Sequence, residues 1–410
     1  MAIKGSGSPM ETVDEYFDML IKSRFNEMFE DQNYQLIRLG DILKQNTTVT
    51  KVDCPDKETF VTLSSKGRGA KKREIKDGKT PVAFSGYRIH AGQFIYSRID
   101  ARNAAFDIVP ECLEGAVVSK DFPVFDFDTN AIEPVYLLHS VLQNSFIEQI
   151  QSSSFGATNR QRIKEETMMN YSIELPPLSK QREYSQFVQL TIIIKKHYQQ
   201  LMDSFDILVK SRFIEMFGTR NEYAKKWQMK PFTACCDVLY GYPFNSQLFN
   251  DNGEGMPLIR VRDINTAFSN TYTTENVSPI YQVHDGDILV GMDGDFYAKI
   301  WSSGTALLNQ RTCKMKGRRD VVNDLFMLHY LNPELLEIHR NTASTTVKHL
   351  SAKEINKMQM PLPPIELQEQ FVAFVKQVDK SKFEVVQSLL RLKSKYMRTE
   401  TPSKRTDCDL

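Results

Sequence analysis

In three stretches of this chain apolar residues return every third or fourth position. Between them they come in short runs or alternate with polar ones. Residues 10–29 put Val13, Phe17, Leu20 and Met28 on one side of a short amphipathic helix. After the double proline Pro176–Pro177 an uninterrupted helical pattern runs to Gly218, with no internal Gly or Pro. Phe187, Leu190, Ile194, Leu201, Phe205 and Leu208 mark its apolar stripe. Ser179 reads as the N-cap, with Arg182 where a capping box would have Glu, and Gly218 as the C-terminal cap. At about 1.5 Å per residue such a helix is roughly 58 Å long. A second long helix follows residue 364, with Phe371, Phe374, Val378, Val385, Leu389 and Leu392 on its apolar face. In the segments between, alternation predicts strands at 124–128 (VFDFD), 258–264 (LIRVRDI) and 287–292 (DILVGM). Helices are expected over 134–150, with Pro134 in the first turn, and over 323–339.

These elements occur twice. Residues 17–29 (FDMLIKSRFNEMF) match 205–217 (FDILVKSRFIEMF) at ten of thirteen positions, at an offset of 188. Residues 174–188 (ELPPLSKQREYSQFV) echo 361–375 (PLPPIELQEQFVAFV) at an offset of 187. So long a period means two similar globular units rather than a solenoid. The sequence predicts a mixed α/β (α+β) fold with a pseudo-two-fold internal repeat. Its two similar domains are separated by a pair of long antiparallel coiled-coil helices. Because the chain begins with the end of a repeat block, the N-terminal helix is expected beside the C-terminal one. The expected divisions are a helix at 10–30, a domain at 31–177, the central helix at 178–218, a second domain at 219–363 and a long helix at 364–400. Residues 1–9 (MAIKGSGSP) read as an appended remnant before a native start at Met10, and 401–410 as a disordered tail.

Composition narrows the class only a little. No run of eighteen apolar residues occurs, so no membrane span is expected. The six cysteines form no CxxC pair, which fits free thiols in a reducing compartment better than a zinc site. Lys and Arg total 52 against 51 Asp and Glu, so any affinity for nucleic acid must come from local patches.

Several blocks, in their order and duplicated context, resemble the DNA-specificity subunit of type I restriction–modification systems. They are LPPLSKQRE with its second copy LPPIELQEQ, and residues 93–125 (QFIYSRIDARNAAFDIVPECLEGAVVSKDFPVF). Residues 255–265 (GMPLIRVRDIN), 284–296 (HDGDILVGMDGDF) and 300–316 (IWSSGTALLNQRTCKMK) complete the likeness. The resemblance implies two target-recognition domains, each reading one half of a bipartite site in double-stranded DNA. It implies that the helix pair between them sets the unread spacer and docks two methyltransferase subunits, which a restriction/motor subunit can join. It implies no cofactor in this chain, with S-adenosylmethionine, ATP and Mg²⁺ belonging to the partner subunits, and a prokaryotic cytoplasmic setting.

Candidate DNA contacts follow from residue chemistry. Residues 65–79 (SKGRGAKKREIKDGK) gather Lys66, Arg68, Lys71, Lys72 and Arg73, and Gly67 and Gly69 suggest a flexible loop suited to phosphates. Arg98 and Arg102 could read guanine through the guanidinium fork, unless Asp100 ties one of them in a salt bridge. Arg160 and Arg162 precede the last strand of the same lobe. In the second lobe Arg260 and Arg262 would share one face of the 258–264 strand. Gln310 and Arg311 combine an adenine-type with a guanine-type reader. Tyr297 and Trp301 could pack on sugar or base, with a core role as the alternative. Asp293 and Asp295 flank Gly294 and could accept from cytosine, or simply make a turn.

No catalytic constellation stands out. The Pro-Pro pairs follow Leu175 and Leu362, whereas an amino-methyltransferase needs Asn or Asp there, and no phosphate-cradling glycine loop occurs. Pro55-Asp56 with Glu74-Ile75-Lys76 fits a loose PD…ExK nuclease pattern, which requires carboxylates converging on Mg²⁺. The third reading is a coiled-coil adaptor that ignores DNA. Under the specificity reading, deleting two whole turns of the central helix, roughly seven residues at about 3.6 per turn, shortens the unread spacer. Methylation mapping checks this, and an unchanged spacer would count against the ruler.

Overall fold

The structure, a computed structural model, describes residues 9–30, 32–74, 82–152, 162–342 and 347–397. The chain divides into two compact units, Phe17–Ile194 and Lys195–Leu410, the latter also taking Met1–Tyr16. Three long helices are present, Pro9–Phe29, Leu178–Phe217 and Ile365–Met397.

Within Phe17–Ile194 a four-stranded antiparallel sheet runs in the order Leu43–Asn46, Val124–Phe127, Phe94–Tyr96, Phe106–Ile108. Leu36–Arg38 pairs with Ser172–Glu174, so the start and end of this lobe meet, with Ile37 opposite Ile173. A three-stranded sheet joins Val49–Val52, Phe84–Arg88 and Val117–Ser119. Alternation places the buried face inward: Phe94, Tyr96, Phe106 and Phe125 pack with Tyr136, Leu137, Phe146 and Ile150 from the following helices. The helix expected over 134–150 is two, Pro134–Val141 and Asn144–Ser152, broken at Leu142–Gln143.

The other unit repeats the scheme. Its four-stranded antiparallel sheet has the order Cys236–Tyr240, Thr312–Gly317, Ile288–Gly291, Ala298–Ile300. Gln228–Pro231 pairs with Gln359–Leu362 as the closing ribbon. Asp324–Asn341 stays one helix and buries Phe326, Met327, Tyr330, Leu331 and Leu335. A second, five-stranded sheet carries the parallel pair Met256–Ile259 and Ala306–Leu308.

The same lock ties each lobe to its long helix. Gln181 and Gln368, one turn past the Leu-Pro-Pro signals, are fully buried. Gln181 Oε1 accepts from the Glu133 N–H at 2.9 Å, and Nε2 donates to the Pro176 carbonyl at 2.7 Å. Gln368 Oε1 accepts from the Asn323 N–H at 2.9 Å, and Nε2 donates to the Pro363 and Val321 carbonyls. Glu133 and Asn323 are the N-cap residues of the helices that line the two cores. Around the lock, Phe25 and Phe29 pack on Tyr136 and Tyr184 with ring centroids 4.9–5.8 Å apart. Phe213 and Phe217 pack in the same way on Phe326 and Phe371 at 4.8–5.6 Å. Arg24 lies over the Phe187 ring and Arg212 over Phe374. The echoed KSRF blocks therefore supply matching contacts.

Two sequence expectations change here. Ser179 is not the cap: the helix starts at Leu178, and the Pro177 carbonyl accepts the first bonds, from Lys180 and Gln181. Gly218 does close that helix, at φ +90, with its N–H on the Ile214 carbonyl. The expected stripe is rotated. In the Phe17–Ile194 unit Tyr184, Val188 and Thr191 are buried, while Leu190 and Ile194 are exposed. In the other unit Tyr198, Met202, Val209, Phe213 and Phe217 are buried, while Leu201 and Leu208 are exposed. Phe187 and Phe205 are half-buried beside that seam. On the C-terminal helix Phe371, Val372, Val375 and Val378 are buried, Val385 and Leu389 are half-buried, and the Leu392 side chain lies outside the described residues. The N-terminal helix does meet the C-terminal one, through Tyr16 Oη donating to the Leu389 carbonyl at 3.3 Å.

Two expectations for stability follow. Gln181→Ala and Gln368→Ala each leave a buried N–H and a carbonyl without partners, and should each cost about 1–3 kcal/mol in urea unfolding. His139 is half-buried against Tyr184, and desolvation holds its pKa down at about 4. Below about pH 6.5 the unfolded chain binds a proton that the folded chain refuses, so stability should fall as pH drops from 6.5 toward 4. The slope is up to about 1.4 kcal/mol per pH unit. Chemical denaturation at stepped pH measures it, and His139→Gln should flatten the curve.

Candidate nucleic-acid interface

In the Lys195–Leu410 unit, Arg260, Arg262, Gln310 and Arg311 line one cleft of about 480 Å³, together with Phe244, Ser246, Phe249, Val261, Asp293 and Asn309. The strand expected over 258–264 ends at Ile259, and Val261–Thr266 is a helix. Asp263 causes the switch: its carboxylate accepts the Arg260 N–H at 2.8 Å and so caps the first turn. Arg260 and Arg262 therefore do not share a strand face. They flank the start of a short helix, and both are exposed. Arg262 is steered by Asp263, 3.6 Å from its Nε, and by the Thr271 hydroxyl at 3.4 Å. Gln310 is exposed, its backbone N–H held by Asn309 Oδ1 at 2.8 Å, which leaves its amide facing the cleft mouth. Arg311 Nε lies 3.5 Å from Asp293. The cleft offers cationic forks and an amide over aromatic walls, and no buried acid–base pair.

Tyr297 and Trp301 belong to the core of this lobe. The Tyr297 hydroxyl donates to the Val261 carbonyl at 3.0 Å, and burial pushes its pKa up. Trp301 is buried, with its indole N–H on the Gly304 carbonyl. Asp293 accepts from His349 Nδ1 at 2.6 Å, so its oxygens are engaged within the protein.

In the Phe17–Ile194 unit the basic stretch is not the expected flexible loop over its described part. Val61–Ser64 and Gly69–Lys72 form a hairpin, and the turn between them uses positive φ at Lys66, Gly67 and Gly69. Its tip is bolted down: Lys66 N–H donates to the Asn103 carbonyl, Gly67 N–H to Ala104, and Ala70 N–H to Asp107 Oδ2. Lys66, Arg68, Lys71, Lys72 and Arg73 are all exposed on this hairpin and its exit. Lys66 and Arg102 line one cleft of about 530 Å³ with Lys22, His139, Gln143 and Asn144. Arg98 is a different matter. Its guanidinium pairs with Glu165, and both are largely buried; Asp100 is not its partner. Arg162 is exposed but pairs with Asp121 at 3.1 Å. Arg160 lies outside the described residues, as do Ile75 and Lys76 of the PD…ExK pattern. Among the described residues no three His, Cys, Asp or Glu are grouped to hold a metal ion. No helix there is long and apolar enough to cross a membrane.

Sequence reasoning missed Glu165, Asp293 as an arginine partner, and the aromatic walls Phe244 and Phe249.

The structure is thus a duplicated α+β lobe, each copy hung on a long helix and one of them with an arginine-lined cleft. Residues 224–391 match the family of the type I restriction modification DNA specificity domain. A chain of the structure reported under "structural basis underlying complex assembly and conformational transition of the type I R-M system" shares the fold. Its TM-score is 0.53 at 19% identity, covering 91% of this chain and 97% of that one. The chain is 39% identical over 160 residues to the type I restriction enzyme EcoBI specificity subunit of Escherichia coli, a match over 38% of this chain and 34% of that protein. It is 22% identical over 367 residues to a putative type I restriction enzyme MjaX specificity subunit of Methanocaldococcus jannaschii, over 84% of each. The match to the first of these relatives thus spans about a third of that protein's length. The family match thus lies over residues 224–391.

Arg98 should act on the fold rather than on base choice. Arg98→Ala is expected to lower stability by about 1–3 kcal/mol, by removing the charged partner of Glu165, which keeps only the Gln45 amide at 3.2 Å. DNA sequence preference should be unchanged, as a binding titration against single-base variants would read.

Proposed function

We propose that this chain is the DNA-recognition subunit of a type I restriction–modification complex, in which each unit reads one half of a bipartite site. The observation that carries the reading is the cleft where Arg260, Arg262, Gln310 and Arg311 converge. Arginine forks match guanine O6 and N7, a glutamine amide matches adenine N6 and N7, and neither requires a reaction at this chain. The hairpin lysines Lys66, Lys71 and Lys72, with Arg68 and Arg73, supply phosphate contacts that orient the duplex without reading it. The domain divisions that suit this role are recognition domains at 31–177 and 219–363, with the helices 10–30, 178–218 and 364–400 as frame.

The role of this chain is recognition, and methyl transfer, ATP use and cleavage fall to partner subunits. Support for protein partners comes from aliphatic residues that each unit leaves exposed on the central helix. They are Leu190, Ile192, Ile193 and Ile194 in one unit, and Leu201, Ile207, Leu208 and Ile214 in the other. These suit docking of two methyltransferase subunits. Of the helix cations, Lys196 and Lys210 are exposed and could take part. Lys195 is paired with Asp14 at 3.1 Å and Arg212 with Glu215 at 2.8 Å, so those two serve the fold.

The test is base-resolution methylation mapping in cells co-expressing this chain with its neighbouring methyltransferase gene. One bipartite motif with a fixed gap is expected. Arg260→Ala and Arg262→Ala should each weaken DNA binding or relax one half-site only, by about 1–3 kcal/mol at a base-reading position. Binding by the assembled complex should fall steeply with salt. A soluble complex that ignores DNA at low salt would remove the reading in favour of an adaptor.

A further inference from the structure

Arg311 is the base-reading candidate whose setting is most fully built. On one side its carbonyl accepts the Met292 N–H at 3.0 Å. The next residue, Asp293, faces it, with Oδ2 3.5 Å from Arg311 Nε. Asp293 is in turn fixed three ways. Its Oδ1 accepts from His349 Nδ1 at 2.6 Å. Its backbone forms an antiparallel bridge with His349. The flanking Gly294 N–H donates to the Lys348 carbonyl, while the Met292 carbonyl accepts from Leu350. A side-chain carboxylate held on both sides by backbone bonds has few rotamers left. Arg311, by contrast, is about half exposed, so its remaining N–H groups face the cleft.

The other unit has the same corner with different chemistry. There Arg98 takes the place of Met292: its N–H donates to the Asp121 carbonyl, and its own carbonyl accepts from Ile163. By these bonds Asp121 corresponds to Arg311, and Arg162 stands beside His349's place. Ile99 falls at Asp293's position there, and Asp121 pairs instead with Arg162, at 3.1 Å. The backbone frame is common to both units, and the charged tips are what differs.

We propose that Asp293, clamped by His349, is a positioning residue that sets the direction of the Arg311 guanidinium and thereby the base accepted at one position of the half-site read by this unit. The inference rests on the recognition role proposed above and deepens it. Engaging Nε through Asp293 leaves the two terminal nitrogens as the fork, the geometry that meets guanine O6 and N7 together. Without the carboxylate the same arginine swings among rotamers and reaches phosphate or either purine, so charge attraction survives while discrimination fades.

The experiment uses the full chain in its assembled methyltransferase complex, with competition binding against every single-base variant of its mapped site. Asp293→Asn, which keeps the shape and removes the charge, should lower discrimination at one base position about tenfold. Affinity for the other sequences should change little. Arg311→Ala should relax the same position, and the double variant should be no worse than Arg311→Ala alone. His349→Phe should give a smaller relaxation at that position and carries the readout if Asp293→Asn does not assemble. Unchanged discrimination in Asp293→Asn, with Arg311→Ala relaxed, overturns the inference and leaves the recognition reading standing. A uniform loss of affinity across all sequences also overturns it, as the signature of a merely structural carboxylate. Arg311→Ala with its preference intact overturns the inference together with this cleft as the reader.

Discussion

The one constraint on which each lobe depends is a backbone N–H with a single buried partner. Glu133 and Asn323 open the helices that line the two cores, and at each opening the N–H is met by the amide of a glutamine on a long helix. That glutamine also takes up carbonyls freed by the double proline before it. Proline cannot donate, so the start of each long helix has an acceptor to spare and no N–H with which to tie it to the lobe. A long amide with one acceptor and two donors fills both needs at once. Once it is in place, lobe and helix share a fixed origin, and the aromatic pairs Phe25–Tyr184 and Phe213–Phe371 close over it.

Much of this frame was legible because the sequence states it twice. The Leu-Pro-Pro signals and the KSRF blocks mark the residues that form the lock, and duplication separated them from background. The buried stripe of the central helix was not legible. Leu190, Ile194, Leu201 and Leu208 recur as regularly as Tyr184, Val188, Met202 and Val209, yet only the second set is buried within its unit. Periodicity reports that a helix has an apolar face. It cannot say which of two such faces is buried within the unit and which stays exposed.

The site was legible by residue type more than by geometry. Arg260 and Arg262 do line the cleft, but not through strand alternation. Asp263 turns the chain into a helix after Ile259, an effect a pattern of apolar residues does not carry. The basic hairpin looked like a loose loop because its anchors, Asn103, Ala104 and Asp107, lie about forty residues away in sequence. Arg98 looked like a reader because its partner Glu165 is distant in sequence, whereas Asp100 is near. In each instance the deciding contact was long-range and polar, and such contacts leave no periodic trace.

The two units also show where change is tolerated. At the lock, tyrosine in one unit is phenylalanine in the other, and the hydroxyl's role changes with it. Tyr136 Oη reaches the Glu174 carbonyl and Tyr184 meets His139, whereas Phe326 and Phe371 make ring contacts only. Ring packing is therefore the shared requirement, and the hydrogen bonds are local additions. At the corner of Asp121 and Arg311 the opposite holds: the backbone bonds are shared, but Arg311 faces Asp293 where Asp121 pairs with Arg162. A frame that fixes main chain by buried amides and rings can vary exposed charges at little cost to stability, since exposed ion pairs contribute about 0–1 kcal/mol. A bidentate contact at a base edge is worth more, about 1–3 kcal/mol of discrimination. Under the proposed recognition role, that imbalance would let two copies of one fold diverge in what they read while remaining alike in how they are held.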